Sequence, residues 1–396
     1  MVLDPNINDS GIKICSRCIY DERVDGISFD AEGVCNYCHQ VDMLKERYGT
    51  GQPKGELLFS EIVEQIKKEG KSKPYDCIVG VSGGTDSSYL LYLAKEKGLR
   101  PLAVHYNNTW NTEVSNENIK KIINKLDVEL YSYSVDAEEA DDIFRSFFLA
   151  GVAEIDAASD LALAEVLYRA ANKYGIKYVL EGHSYETEGI SPLGRNYFDG
   201  KYIKSIHSLY GTVRMRTYPL MTFSRFMWWT LAAKIKRIRP YWYLQYTKEN
   251  AQKFLKDNYN WEYYGGHHLE NRMTAFFHSI YAPQKFGADF RNNTLSALAR
   301  MGNISREEAW KRYNTPPVIE DGLLDYFKKR IKLTDEEYLN KMNEAPRSWS
   351  EFPTYKKRFE LLRPLFGVLA KNNLVPMSFY LKYCFRQGNE GKDEKA

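Results

Sequence analysis

Two sets of residues in this chain have the types and spacing that chemistry needs. The first is Ser82-Gly83-Gly84-Thr85-Asp86-Ser87, which follows an apolar run at 76–81 and precedes another from Tyr89. A strand that runs into two glycines and then a helix makes an anion site. Glycine permits positive φ and close backbone approach, and the unpaired N–H groups of the helix's first turn, with its dipole, point at a negative ligand. Ser82, Thr85, Ser87 and Ser88 add hydroxyl donors, and Asp86 is suited to hold Mg2+ or to cap the helix. The second set is Cys15, Cys18, Cys35 and Cys38, two Cys-x2-Cys pairs with sixteen residues between them. That form predicts four thiolates around one tetrahedral Zn2+, a closed shell whose work is structural. Arg17, Arg23, Tyr20 and Tyr37 leave a ribbon that grips nucleic acid as the alternative.

The elements that must position these groups follow from periodicity. Short β-branched or aromatic runs at 75–81, 101–106, 128–134 and 178–181 alternate with helix-length amphipathic stretches at 57–69, 86–97 and 114–126 and up to about 174. Alternation of this kind predicts an α/β fold, a parallel sheet with helices on both faces. Residues 1–50 read as the metal-stapled module, 55–220 as the sheet domain, and 221–386 as a mainly helical region. The tail, 387–396, is polar and expected to be disordered. Strand ends in such a sheet are where ligands bind, so Val104, His105 and Tyr106 are candidate ligand contacts. Gly182 and His183, after the later strand, are further candidates, with His183 able to donate to phosphate.

The Ser-Gly-Gly-Thr-Asp-Ser loop resembles the SGGxDS signature of the PP-loop ATP pyrophosphatases, and the Walker lysine loop is absent. The resemblance implies cleavage of ATP between its α and β phosphates: a substrate oxygen is adenylated, and a nucleophile then displaces AMP. Farther on, 261–274 (WEYYGGHHLENRMT) and 281–291 (YAPQKFGADFR) look like the YGGKHxES…PxKFGxDxR segment of the N-acetyl sugar amidotransferases. Glu188-Gly189, Ser191-Pro192-Leu193-Gly194 and 199–203 also resemble that family. His267 stands where Lys is usual, and Asn271 where Ser is usual. The resemblance implies conversion of a sugar acetamido group to an acetamidino group, with ATP, Mg2+ and structural Zn2+. The substrate would be a nucleotide- or lipid-linked acetamido sugar. Catalytic roles would fall to Asp86, His183, Lys285 and Arg291, and substrate contacts to His267, His268 and Glu270. Lys285 and Arg291, in a basic Gly-containing loop, can bind phosphates.

Composition bounds the partners. Lys+Arg 55 against Asp+Glu 52 leaves a net charge of +3, too mild to mark a polyanion-binding surface, so nucleic acid is not an expected partner. Hydrophobic content of 43% with 27% charged residues excludes disordered, collagenous and multi-spanning classes. Thirty tyrosines suggest either amphipathic core packing or a ring-lined cleft. No glutaminase nucleophile is visible, and the cysteines outside the quartet are Cys77 and Cys384 alone. A separate glutaminase subunit is therefore expected to supply ammonia, and the scarcity of cysteine argues against sulfur transfer. The start lacks a secretory signal, which predicts a cytoplasmic protein. The greasy stretch 218–233 is shorter than the ~20 residues a membrane span needs and carries Arg225. Residues 225–239 (RFMWWTLAAKIKRIR) read as a helix joining Trp228 and Trp229 to Lys234, Lys236, Arg237 and Arg239. Such a helix could pack in the core, bind the phosphates of a nucleotide sugar, or lie on the inner face of a membrane. Two further readings stand beside amidation: an RNA-modifying PP-loop enzyme using the zinc ribbon on tRNA, and a non-enzymatic nucleotide-binding scaffold.

Overall fold

The computed structural model describes residues 11–190, 197–266 and 269–386. Five strands form its sheet: β1 (Cys77–Gly80), β2 (Pro101–Asn107), β3 (Leu130–Ser134), β4 (Tyr178–Leu180) and β5 (Lys236–Ile238). Their order is β3-β2-β1-β4-β5, and every neighbouring pair is parallel. The helices before β4 are α1 (Asn36–Tyr48), α2 (Pro53–Gly70), α3 (Thr85–Glu96), α4 (Glu113–Leu126), α5 (Ala137–Ala150) and α6 (Ala157–Lys173). Between β4 and β5 come α7 (Gly200–Tyr210) and α8 (Phe223–Met227). Then follow α9 (Lys248–Tyr259), α10 (Arg272–Phe276), α11 (Ala282–Phe286), α12 (Arg291–Arg300), α13 (Arg306–Asn314), α14 (Leu323–Arg330) and α15 (Asp335–Asn343). The last three helices are α16 (Lys356–Leu361), α17 (Arg363–Lys371) and α18 (Met377–Tyr383).

Successive side chains of a strand point to opposite faces, and here each face has its own core. Cys77, Val79, Ala103, Leu180 and Ile238 pack with Phe59 and Val63 of α2, Leu90 and Leu91 of α3, Ile119 of α4 and Leu255 of α9. Ile78, Leu102, Val104 and Val179 pack with α5, α6 and the C-terminal helices through Phe147, Val166, Phe276 and Phe366. β1, buried throughout its first three residues, is the middle strand. From β1 the chain first builds β2 and β3 on one side, then crosses back by α5 and α6 to place β4 on the other. The crevice between the carboxyl ends of β1 and β4 is thus the topological switch point, where open parallel sheets bind ligands.

The structure corrects the expected helix over 225–239. Phe223 to Ala232 is helical and ends in a π turn, Lys234 takes the left-handed conformation (φ 52°), and Lys236–Ile238 becomes the edge strand β5 beside β4. The tryptophans and the cations therefore belong to different elements. Trp229 is buried, with its indole N–H on Glu165, while Arg237 and Arg239 turn onto Glu181 at the end of β4. The join between α1 and α2, at 48–55, is a tight corner. A Cβ on Gly55 would stand 2.3 Å from both the Gly49 and Tyr243 carbonyl oxygens, so the two helices it joins are packed rather than loosely tethered. His267, His268, the 191–194 segment and the tail lie outside the described residues.

Candidate active site

The loop leaves β1 and is held from behind. Gly83 has φ +81°, and a Cβ there would stand 2.1 Å from the Ser115 carbonyl oxygen, so only glycine fits. Its own carbonyl accepts from the Trp261 indole N–H at 3.0 Å and from Asn118 Nδ2 at 3.3 Å. Gly84 is the N-cap of α3 and has no side chain to cap the helix, whose first N–H, that of Thr85, donates to the Tyr264 hydroxyl at 3.3 Å. Ser82 and Ser87 face each other at 3.3 Å, and both line a cavity of about 780 Å3 that fills the switch-point crevice. That volume is within the range of ligand sites.

Three segments converge on this cavity from elsewhere in the chain. From β2, His105 lines it with both ring nitrogens engaged: Nδ1 donates to the Val81 carbonyl at 2.9 Å, and Nε2 accepts from Asn111 Nδ2 at 3.2 Å. Burial holds that imidazole below its ordinary pKa, so His105 is a neutral wall. Tyr106 also lines the cavity, whereas Val104 is fully buried in the core behind it. From β4, Gly182 and His183 line it. The Trp242 indole N–H donates to His183 Nδ1 at 3.2 Å, which leaves the proton on Nε2. From the C-terminal half, Glu270 brings its carboxylate to the loop, 3.3 Å from Ser82 Oγ. The adjacent Asn271 donates to Asn108 at 2.8 Å and to Asn111 at 2.9 Å, tying this wall to the end of β2.

Asp86 sits in the first turn of α3, away from the cavity lining. Its Oδ2 is 3.0 Å from Lys248 Nζ, and it accepts from the Tyr246 hydroxyl at 2.5 Å. Lys248 also approaches Glu188, at 3.7 Å. Burial alone would depress the Lys248 ammonium, but Asp86 and Glu188 raise its pKa on balance. Sequence reasoning missed Lys248, Tyr246 and Trp242; no local motif surrounds them, and only the fold brings α9 and its approach onto the loop.

Two predicted site residues lie elsewhere. Lys285 is buried, and its amine donates to the carbonyls of Lys341 and Glu344 at the end of α15, completing a helix terminus. Arg291 makes a fork to Asp289 and donates to the carbonyls of Tyr313 and Thr315 at the end of α13. Neither lines the cavity. The basic, Gly-containing loop is thus used for helix ends, which need donors just as phosphates do.

Residues 270–365 match the model of the LPS biosynthesis protein WbpG-like C-terminal domain. Residues 76–167, which hold the loop, match that of the queuosine biosynthesis protein QueC. These two matches, with the Ser-Gly-Gly-Thr-Asp-Ser loop at the switch point, support an ATP-using enzyme of the PP-loop type. The uncharacterized protein MJ1599 of Methanocaldococcus jannaschii is 25% identical over 322 residues, 81% of this chain and 99% of that protein. The tRNA-specific 2-thiouridylase MnmA 2 of Fusobacterium nucleatum is 29% identical over 141 residues, 33% of this chain and 39% of its own. Among solved structures, the NH3-dependent NAD synthetase of Campylobacter jejuni has a TM-score of 0.30 at 12% identity, covering 74% of this chain and 97% of that one. The U34-tRNA thiolase NcsA of Methanococcus maripaludis has a TM-score of 0.29 at 12% identity, covering 76% and 91%.

The chain also carries a cluster fit for a metal ion. Cys15, Cys18, Cys35 and Cys38 are fully buried, with sulfurs within 4.8 Å of one another. The Sγ separations are 3.8 Å (Cys15 to Cys38), 3.8 Å (Cys18 to Cys35) and 3.6 Å (Cys35 to Cys38). A tetrahedron with metal–sulfur bonds of about 2.3 Å has edges of about 3.8 Å, so the quartet fits one ion. Backbone N–H groups of Cys35, Arg17 and Cys18 point at Cys15 Sγ at 3.2, 3.4 and 3.5 Å, as thiolates require.

Proposed function

We propose that this enzyme amidates a sugar acetamido group. The observation that carries the reading is that the WbpG-like segment supplies the wall opposite the PP-loop: Glu270, Asn271, Thr274 and His278 line the same cavity as Ser82 and Ser87. In this reading the acetamide oxygen attacks the α-phosphorus of ATP, and pyrophosphate leaves toward the N–H groups of α3. The resulting imidate carbon takes ammonia, a proton leaves the new nitrogen, and AMP departs with the former amide oxygen. An amide oxygen is a very poor leaving group; as AMP it is a good one. His183, with its proton on Nε2 and its ring in the cavity wall, would donate to the phosphates. Lys248 would neutralise the leaving pyrophosphate. Asp86 and Glu188 are hard oxygen donors suited to Mg2+, whose charge would offset that of the phosphates. The quartet, with its single-ion spacing and thiolate donors, suits structural Zn2+. Ammonia would come from a separate glutaminase, and the sugar would be nucleotide- or lipid-linked. Action in the cytoplasm or at the inner face of a membrane fits such a substrate; no described helix is long and apolar enough to cross a membrane.

The second reading, a tRNA-modifying PP-loop enzyme, draws on the thiouridylase identity over 141 residues. Against sulfur transfer stand Cys77 and Cys384, both buried, with burial pushing the Cys384 thiol up to about 12 and that of Cys77 higher. The test is mass spectrometry of acetamido-sugar nucleotides incubated with enzyme, Mg-ATP and ammonium salt, starting from an 18O-labelled acetamido group. A product one mass unit lighter than the unlabelled sugar, with the label in AMP, is expected. AMP formation that depends on tRNA, with the sugar unchanged, would move the reading to RNA.

A further inference from the structure

We propose that the four-thiolate metal centre is a positioning element of the ATP cavity, coupled to it through Arg300 and Tyr20. The inference rests on the cavity being the ATP site, whichever acceptor the enzyme uses.

The quartet does not stand apart from the rest of the chain. Arg300, at the end of α12, lies 262 residues beyond Cys38 in sequence, yet its Nε donates to Cys38 Sγ at 3.2 Å and its Nη2 to Cys18 Sγ at 3.6 Å. It is only 4% exposed, and its guanidinium carbon is 5.5 Å from the centre of the Tyr20 ring. A divalent ion held by four thiolates carries two net negative charges, which a buried site must offset. Arg300 supplies one positive charge against those two and is itself buried, so each is costly without the other. Arg306, at the start of α13, adds bonds to the carbonyls of Cys15 and Cys18 at 2.9 and 3.1 Å.

From the centre the coupling reaches the cavity by two short routes. The Tyr20 hydroxyl, on the residue two beyond Cys18, donates to Asn293 Oδ1 at 2.9 Å and reaches the Ile190 carbonyl at 3.3 Å. Asn293 and Ile190 both line the cavity. Ile190 ends the segment that begins at His183, and the two walls are close-packed: a Cβ on Gly189, whose φ is +77°, would stand 2.9 Å from the Asn293 carbonyl oxygen. The second route is direct. Tyr37, whose ring meets Tyr20 edge-on at 5.5 Å, lines the cavity together with Gln40 and Leu44 of α1. The ion therefore fixes Tyr20 and Tyr37 on one side and, through Arg300, the helix carrying Asn293 on the other. Both arginines that a nucleic-acid ribbon would offer are held by the chain's own carboxylates: Arg17 forks onto Asp42 at 2.5 and 2.8 Å and donates to the Arg300 carbonyl, and Arg23 pairs with Asp21 at 2.6 Å.

The test uses the full zinc-loaded chain with Arg300→Met, Arg300→Lys and Tyr20→Phe. Three quantities are read: zinc affinity by competition with a chromophoric chelator, amide hydrogen exchange over 183–190 and 291–300, and ATP affinity by calorimetry. Loss of an outer-shell partner lowers metal affinity roughly 10- to 100-fold, so Arg300→Met is expected to fall in that range and Arg300→Lys to recover part of it. Both should speed exchange over 291–300 and weaken ATP binding. Tyr20→Phe should keep its zinc yet loosen 183–190 and weaken ATP binding. Should Arg300→Met fail to fold, Tyr20→Phe and chelator titration of the unaltered chain carry the test. Wild-type zinc affinity in a folded Arg300→Met protein would overturn the proposal. So would unchanged exchange and ATP binding in Tyr20→Phe or in the zinc-stripped chain. Because none of these readouts involves the acceptor, a failure of amidation with the coupling intact counts only against the sugar reading.

Discussion

Ser82 Oγ lies 3.3 Å from Glu270 Oε1, a contact made across 188 residues of chain. The same carboxylate oxygen stands 2.8 Å from where a Cβ on Gly84 would be. An anion from the C-terminal half thus rests in the mouth of a loop shaped for anions, where it competes with phosphate. Glu270→Gln keeps the shape and removes the charge. Two like charges about 4 Å apart in water repel by about 1 kcal/mol, so ATP should bind the variant about fivefold more tightly. Calorimetry checks this; weaker binding would mean that the carboxylate is needed for nucleotide.

Gly83→Ala tests the loop's backbone. The methyl group would meet the Ser115 carbonyl oxygen at 2.1 Å, in a conformation that L side chains rarely adopt. A strain of about 1–3 kcal/mol, with loss of ATP binding, is expected, read from the urea midpoint and a nucleotide titration on the same sample.

Glu181 holds two arginines at the end of β4, Arg237 from β5 and Arg239 just after it, with Arg239 Nε at 3.1 Å. All three side chains are largely buried, at 12% exposure for Glu181, 22% for Arg237 and 15% for Arg239. Burial opposes the charge on Glu181, but the two arginines overcome it and hold the carboxyl below its ordinary pKa. Glu181→Ala would leave both cations in place without their anion, at a cost of about 3–5 kcal/mol. Chemical denaturation should show this loss, and a change below about 1 kcal/mol would mean that solvent reaches the site freely.

Glu154 lines the cavity before α6. Burial and the neighbouring Asp160 push its carboxyl up to about 8, with Lys382 opposing. The folded chain therefore holds this proton at pH values where the unfolded chain, with a carboxyl near 4.3, has released it. Stability from this group is fully present below the unfolded value and is lost as pH rises through the interval to about 8. Melting temperatures of the wild type between pH 5 and 8 should fall more steeply than those of Glu154→Gln. Parallel curves would mean that the carboxyl ionises normally.

The parts of this fold that could be read in advance are those whose cause is local. The apolar run before Ser82, the paired glycines and the four cysteines each announce a strand, a turn or a metal shell within a few residues. β5 could not be read this way: Lys236-Arg237-Ile238 has neither apolar alternation nor length, and it is a strand only because β4 offers it an edge and Glu181 awaits its arginine. The same holds within the site. Ser82, His183 and Glu270 belong to segments with recognisable composition, whereas Lys248 and Tyr246 matter through where α9 lands. Lys285 and Arg291 show the converse case: their surroundings suit phosphate, but the nearest groups needing donors are carbonyls at helix ends.

The bond from Arg300 to Cys38 has a consequence for biosynthesis. The cysteines emerge early, but their arginine follows 262 residues later, a delay of roughly 10–50 s at ~5–20 residues per second. During that interval a nascent module can already take its ion but has no counter-charge and no helix to seat against. It waits as an exposed, negatively charged knot, vulnerable to oxidants and competing metals. Cells short of the quartet's metal or under thiol stress should therefore lose this protein mostly during synthesis, while chains finished beforehand persist.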